Sequence, residues 1–499
     1  MTFRPLVFAA SFALVFTACG SAATETETAP LTPSQYDTPF VVNTINWSAC
    51  PDSTSNSVEC GTLEVPFDYN DPDIGSFVLA IKKRNANDQS KRIGSMMVNP
   101  GGPGFGGTSL ADDAQYYFSE ELLDYFDIVA WDPRGTGDTT PAVDCVATYD
   151  EYFGLDSPPD TPDEKQELID ASQAFNDMCS ENSGSILPYI STMASAHDMN
   201  SMRLALGEKK ISYFGFSYGS ELGATWATMF PNTVRAAVLD GAVDPNASSI
   251  EEGLSQAKGF EAQLSTFLKQ CSQRTTCAFH NNGNAEATFD TLVLDIDTTP
   301  LVVSDKRTPV TQGVLFTAVA QAMYSDYYWP QLSEALNNAQ QGDGKGLLQL
   351  YDDYYQRKDD GTYGNELEAF LAISCLDDPG VTSIEEVDAH IDTFVAAAPR
   401  LGANFAYGYS CALWPVEQAE RITITAAGAG PIVVIGTTGD AATPLSSTRN
   451  MAIGLEQGIL IVVEANQHTG YGTNECVVGA VDNYLINLSV PANETTCKG

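Results

Sequence analysis

The chain has 499 residues, 43% of them hydrophobic and 18% charged, enough apolar surface for a large core plus an inserted or appended second domain. That balance excludes a disordered chain. The 65 Asp and Glu against 24 Lys and Arg give a formal charge of -41, which excludes a nucleic-acid binder, because phosphates need a basic footprint. Solubility accounts for the acidity more simply than a basic partner does.

In chain order, MTFRPLVFAASFALVFTACGS carries an early arginine, an apolar run too short for a comfortable membrane span, and small residues before Cys19. Residues 1–19 therefore read as a secretory signal. Thr17 and Ala18 before Cys19, with Gly20 and Ser21 after it, resemble a bacterial lipobox, in which the cysteine is lipidated and becomes the new N-terminus. Phe16 stands where Leu, Val or Ile is usual, so plain secretion with cleavage near Ala18 or Ala23 is the alternative. Residues 20–40 are polar and read as a tether. The setting is extracytoplasmic, as a cell-membrane lipoprotein or a secreted protein, with membrane contact only through the lipid.

Setting Cys19 aside leaves ten of the 11 cysteines: Cys50, Cys60, Cys145, Cys179, Cys271, Cys277, Cys375, Cys411, Cys476 and Cys497. An even number in an exported chain points to disulfides; pairing between sequence neighbours is the simplest scheme, although spacing does not fix connectivity. With no C-x-x-C pair and few, scattered histidines, no metal is expected.

GTLEVPFDYN and SFVLAIKKRN read as an antiparallel hairpin turning at Asp71-Pro72-Asp73. Six apolar runs follow, each stopping at Gly, Pro or Asp: SMMVNPGGPG, FDIVAWDPRGTGD, ISYFGFSYG, VRAAVLDGAVDP, PIVVIGTTGDAATP and ILIVVEANQHTG. Helix-length amphipathic segments separate several of them, so the fold class is α/β, a mostly parallel central sheet with helices on both faces. Ligands in such sheets bind beyond the carboxyl ends of the strands. Between 246 and 424 the alternation stops and helix formers and aromatics dominate, which predicts a helical cap. The catalytic domain is then 41–245 and 425–499.

GFSYGS (Gly215–Ser220) follows the apolar run ISYF and precedes a plausible helix. With 40 glycines, G-x-S-x-G alone means little, but strand, tight turn and helix are the setting a nucleophile elbow needs. Ser217 is the candidate nucleophile. Of the four histidines, His197 precedes the serine strand through a helix and reads as a surface or helix-start residue, and His280 and His390 fall in the helical insertion. His468, in the loop after the last predicted strand, is the candidate base. Asp440 ends the strand before it and gives the order Ser, Asp, His; its rivals Asp240 and Asp244 read as turn and capping carboxylates. The oxyanion donors are the N–H of Tyr218 and one from NPGGPGFGG, with Gly102 chosen and Gly101 next.

NPGGPG, DPRGTG, GFSYGS, DGAVDP, GDAATP and QHTGYG, in this order, resemble the exported tripeptidyl aminopeptidases of actinobacteria, relatives of proline iminopeptidase among the α/β-hydrolases. The resemblance runs from about Trp47 to Cys497. It implies an α/β-hydrolase with a helical cap inserted before the last strands, and a serine exopeptidase that releases tripeptides, similar short peptides or single residues. By position it matches Ser217, Asp440 and His468 to the family triad and the loop ending in Gly104 to its oxyanion loop. SCLDD and SCALWP imply a Cys375–Cys411 bridge. Two departures touch substrate preference: Glu221 stands where an aromatic or aliphatic residue is usual, and Pro100 where proline iminopeptidases have His.

Holding a substrate ammonium calls for carboxylates in a closed pocket, and Glu221, Asp377 and Asp378 are the candidates. The plainer alternative for each is a solvated surface residue. YSDYYWP (Tyr324–Pro330) can line the pocket, although packing inside the cap is the favoured use. The expected partner is a peptide with a free N-terminus, taken by a monomer without cofactor. A carboxylesterase or lipase on the same triad is the nearest alternative, and a catalytically silent binding protein on this fold a remoter one.

Overall fold

The opening hairpin and the six apolar runs become eight strands, and with two short additions, among the described residues, ten strands make one sheet. They are β1 (Ser48–Ala49), β2 (Val58–Pro66), β3 (Ser76–Arg84), β4 (Gly94–Asn99), β5 (Phe126–Trp131), β6 (Ile211–Phe216), β7 (Val234–Asp240), β8 (Ile432–Thr437), β9 (Gly458–Glu464) and β10 (Thr495–Lys498). The computed structural model describes residues 34–498 apart from 39, 52–56, 379 and 407. The signal, Cys19 and the tether to residue 33 lie outside the described residues.

The strand order is β1-β2-β3-β5-β4-β6-β7-β8-β9-β10. The pairs from β1 to β5 through β3 are antiparallel, including the opening hairpin in which Val65 faces Phe77, and every later pair is parallel. Every residue of β4, β5 and β8 is buried, as a sheet covered on both faces requires. One face packs against α1 (Pro162–Ser183), α2 (Thr192–Ala205) and α3 (Tyr218–Met229), through Phe175, Met199, Leu222 and Trp226. The other packs against helices Glu120–Tyr125 and Glu475–Asn487 through Leu122, Val477 and Leu485. This is the α/β-hydrolase arrangement.

From β7 the chain enters α4 (Ser249–Gln273), started by a Ser248–Glu251 capping box. Between β7 and β8 the described residues form no strand, and Phe260, Phe267, Phe289, Val319, Leu336 and Tyr351 build a separate cap cluster. The 246–424 boundary is blurred, however. Helix α5 (Glu366–Asp377) sets Ala369, Ala372, Ile373 and Leu376 into the core under the sheet, and Glu368 accepts the N–H groups of Cys145 and Val146. In return, Asp150 pairs with Arg307 of the cap at 2.7 Å and Lys165 with Asp388 at 2.5 Å. Apolar positions in a helix do not say which core they join, so the sequence drew the boundary too sharply.

All ten remaining cysteines pair with sequence neighbours: Cys50–Cys60, Cys145–Cys179, Cys271–Cys277, Cys375–Cys411 and Cys476–Cys497. β10 was not legible in the sequence, because TTCK is short and polar; Cys476–Cys497 ties it to the helix beside β9.

Arg134 of DPRGTG is fully buried on the pair Asp198 (2.6 Å) and donates to the carbonyls of Pro66, Phe67 and Tyr189. It locks the hairpin, the loop after β5 and α2 together. His197, expected on the surface, instead stacks on Tyr69 inside this cluster at 4.7 Å; burial and then the charge of Arg134 push it down to about 4, so it stays neutral. Asp198→Ala leaves the Arg134 charge buried and unpaired and is expected to destabilise the fold by about 3–5 kcal/mol, read as a lower urea midpoint with unchanged slope.

Candidate active site

β6 delivers Ser217 at the carboxyl edge of the sheet with φ 54 and ψ -127, a backbone strained for a residue with a Cβ. Ser217 N donates to Asp240 O at 2.8 Å and Ser220 N donates to Ser217 O at 2.7 Å, so strand and helix hold the turn from both sides. A Cβ on Gly215 would lie 2.3 Å from Gly219 O, which is why this flank must be glycine.

The glycine loop lies against the elbow. Asn99 Oδ1 takes the N–H of Gly101 at 2.9 Å, whereas among the described residues no hydrogen bond uses the N–H of Gly102 or of Tyr218, the first residue of α3. Those two N–H groups are unengaged, whereas that of Gly101 is taken.

His468 Nδ1 lies 2.9 and 3.0 Å from the two Asp440 oxygens. Asp440 also accepts Thr443 N at 2.8 Å and Thr443 Oγ1 at 2.9 Å, so its carboxylate is fixed before it meets the imidazole. His468 Nε2 is buried and has no hydrogen-bond partner among the described residues, leaving it free to take a proton. Burial opposes a charged imidazole here, but the charge of Asp440 and its hydrogen bond prevail and hold His468 above the usual histidine value. Asp240 has a structural part: its buried carboxylate accepts Gly470 N and Tyr471 N, both at 2.8 Å, and so fixes the loop that carries His468. Asp244 accepts from Asn450 on the rim, and neither His280 nor His390 lines the cavities at Ser217.

The cap grips each of these loops. Ala441 and Ala442 pack in the cap cluster, His468 N donates to Tyr324 O at 2.9 Å, and a Cβ on Gly104 would lie 2.4 Å from Phe370 N of α5.

Two cavities meet at Ser217. One, of about 300 Å³, holds Glu221, Glu252, Asp377 and Asp378 with a single cation, Arg421. The three carboxylates expected from sequence are therefore brought together and half-buried, none of them on the open surface. They are not equivalent. Asp378 is taken by Arg421 and by Ser249 N, and Asp377 by Thr192 N and Oγ1. Glu221 and Glu252 have no side-chain partner among the described residues. Burial, then the neighbouring acids Glu252 and Asp377, pushes Glu221 up to about 8; burial pushes Glu252 up to about 7 and Asp377 to about 6. Sequence reasoning missed Glu252, which sits beside the capping residue Glu251 and carries no signal of its own.

The second cavity, of about 380 Å³, is aromatic and includes His468. YSDYYWP divides: Tyr324 and Tyr328 face cavities, Trp329 packs inside the cap, and Tyr327 is 80% exposed. Tyr324 and Tyr328 also pack against the cap cluster, so both uses read from the sequence, packing in the cap and lining a cavity, are present.

Residues 398–497 match the family model described as TAP-like protein. Serine protease Hip1 of Mycobacterium tuberculosis is 31% identical over 476 residues, 91% of this chain and 91% of that protein. Carboxylesterase B of the same organism is 33% identical over 479 residues, 92% of this chain and 91% of that protein. Tripeptidyl aminopeptidase of Streptomyces coelicolor is 28% identical over 473 residues, 91% of this chain and 86% of that protein.

The raised carboxyls make stability depend on pH. Glu221, Glu252, Asp377, Asp240 and Glu368 all keep their protons to higher pH folded than unfolded. Between about pH 4.5 and 8 the folded chain therefore binds more protons, and stability falls as pH rises. Tm at about pH 5.5 is expected to exceed Tm at about pH 8, and Glu221→Gln should flatten the upper part of that slope.

Proposed function

The chain belongs to the TAP-like family of α/β-hydrolases, and from that membership we propose that it is a serine peptidase releasing short peptides, tripeptides or similar, or single residues from free N-termini. Ser217 Oγ attacks the scissile carbonyl while its proton passes to His468 Nε2, and Asp440 holds the imidazole's tautomer and offsets its charge. The N–H groups of Gly102 and Tyr218 receive the oxyanion. The imidazolium then protonates the departing amine, and a water deprotonated by His468 frees the acyl group from Ser217. Each step uses groups of this chain, without a cofactor.

The observation that carries the reading is the pair Glu221 and Glu252, two carboxylates without hydrogen-bond partners in the cavity beside Ser217. An ester substrate needs no such pair, whereas a peptide ammonium does. Two acids with raised pKa values in one cavity gain most from a cation that lets both ionise. Five disulfides support an extracytoplasmic setting. Lipid anchoring through Cys19, rather than full secretion, and action as a monomer complete the proposal.

A chromogenic tripeptide amide with a free amino group is expected to be cleaved and its acetyl-blocked twin spared, with Ser217→Ala inactive on both. Equal cleavage of the two, or activity on short acyl esters alone, would return the chain to the carboxylesterase reading. Glu221→Gln and Glu252→Gln should each lower kcat/KM for the free tripeptide about tenfold or more, mainly through KM, the scale of a lost charge-assisted hydrogen bond. In the unmodified enzyme KM should rise as pH falls from about 8 to about 6, because protonated carboxyls hold an ammonium poorly.

A further inference from the structure

The two cavities at Ser217 share Gly102, Tyr324, Tyr354 and Phe370, and differ in what else they hold. Glu221, Glu252 and Asp377 line only the first; His468 lines only the second. In acyl transfer the imidazolium must reach the departing nitrogen, so the cavity that contains His468 is on the leaving side of the scissile bond. The carboxylates independently place the free amino group on the other side. Both features give the bound peptide one direction, from the acidic cavity across Ser217 into the aromatic one.

We propose that the aromatic cavity is a leaving-group subsite that selects an aromatic or large apolar residue immediately after the scissile bond and rejects an acidic one. The proposal rests on the peptidase reading above and adds a specificity to it. Phe105, Tyr324, Tyr328, Tyr354, Tyr355 and Phe370 supply six rings around a space of about 380 Å³. That volume falls in the range of ligand pockets, roughly 300–1,000 Å³, and rings set edge to face or offset attract another ring beyond simple burial. Burial pushes the hydroxyls of Tyr324, Tyr354 and Tyr355 up, so they stay neutral donors and add no charge. Besides His468, the ionisable groups of charged type at this cavity are the acids Asp353 and Glu366, and no Lys or Arg lines it. A carboxylate arriving after the scissile bond, from a side chain or from a chain end, meets like charge with no Lys or Arg to pair it.

The test uses peptide amides with a free amino end, Ala-Ala-Ala-Xaa-Ala-Ala, with Xaa Phe, Leu, Gly or Asp and the cleaved bond located by mass spectrometry. For the unmodified protein, kcat/KM with Phe is expected to exceed that with Gly by about tenfold or more, and Asp to be the poorest. Tyr328→Ala should collapse the Phe/Gly ratio, and Asp353→Asn should raise Asp relative to Gly. Ratios are taken within each variant, so a partly unfolded preparation does not change them. A flat profile in the unmodified protein, or ratios untouched by both substitutions, overturns the proposal. If acetyl-blocked peptides are cut equally well, the amino-end reading fails by itself, and the Xaa profile on the blocked series still decides the subsite. Cleavage of short acyl esters with none of any peptide overturns both.

Discussion

The site depends on one strained residue. Ser217 at φ 54 costs of order 1–3 kcal/mol and persists only because its surroundings over-determine it. β6 is paired on both sides, to β4 and β7, and α3 is packed in the main core. The same hydrogen-bonding chain reaches outward: Asp240 accepts Ser217 N through its carbonyl and fixes the His468 loop through its carboxylate. Ser217 and the His468 loop are thus held by two ends of one buried aspartate, a position at which the sequence offers only an acid in a turn.

The cap is part of this geometry as much as a cover. It holds the Asp440 loop by apolar packing, the His468 loop by a backbone hydrogen bond from Tyr324, and the glycine loop by the backbone of α5. Three loops from distant parts of the chain therefore depend on one helical insertion. The cap also divides the space above Ser217 into an acidic side and an aromatic side, which makes the approach directional.

The strands were legible because buried parallel strands are continuous apolar runs ended by Gly, Pro or Asp, and the contact of Asp440 with His468 because only His468 among four histidines follows such a run. Glu221 was legible as a departure from the related pattern. Glu252 was not, since a second Glu after a helix cap looks like a solvated first-turn acid. The same limit applies to His197, whose burial comes from Tyr69 and Arg134, far away in sequence. Pairing across long separations, such as Glu368 with Cys145 and Val146, blurred the cap boundary for that reason.

On the proposed reading, Ser217 is an activated nucleophile whose acyl side ends at an ammonium-binding pair of carboxylates. Fluorophosphonate labelling followed by peptide mapping, with and without a competing tripeptide, decides it. One label is expected, on Ser217, slowed by a tripeptide with a free amino group and not by the acetylated tripeptide. A label elsewhere, no label, or equal protection by both tripeptides would contradict it.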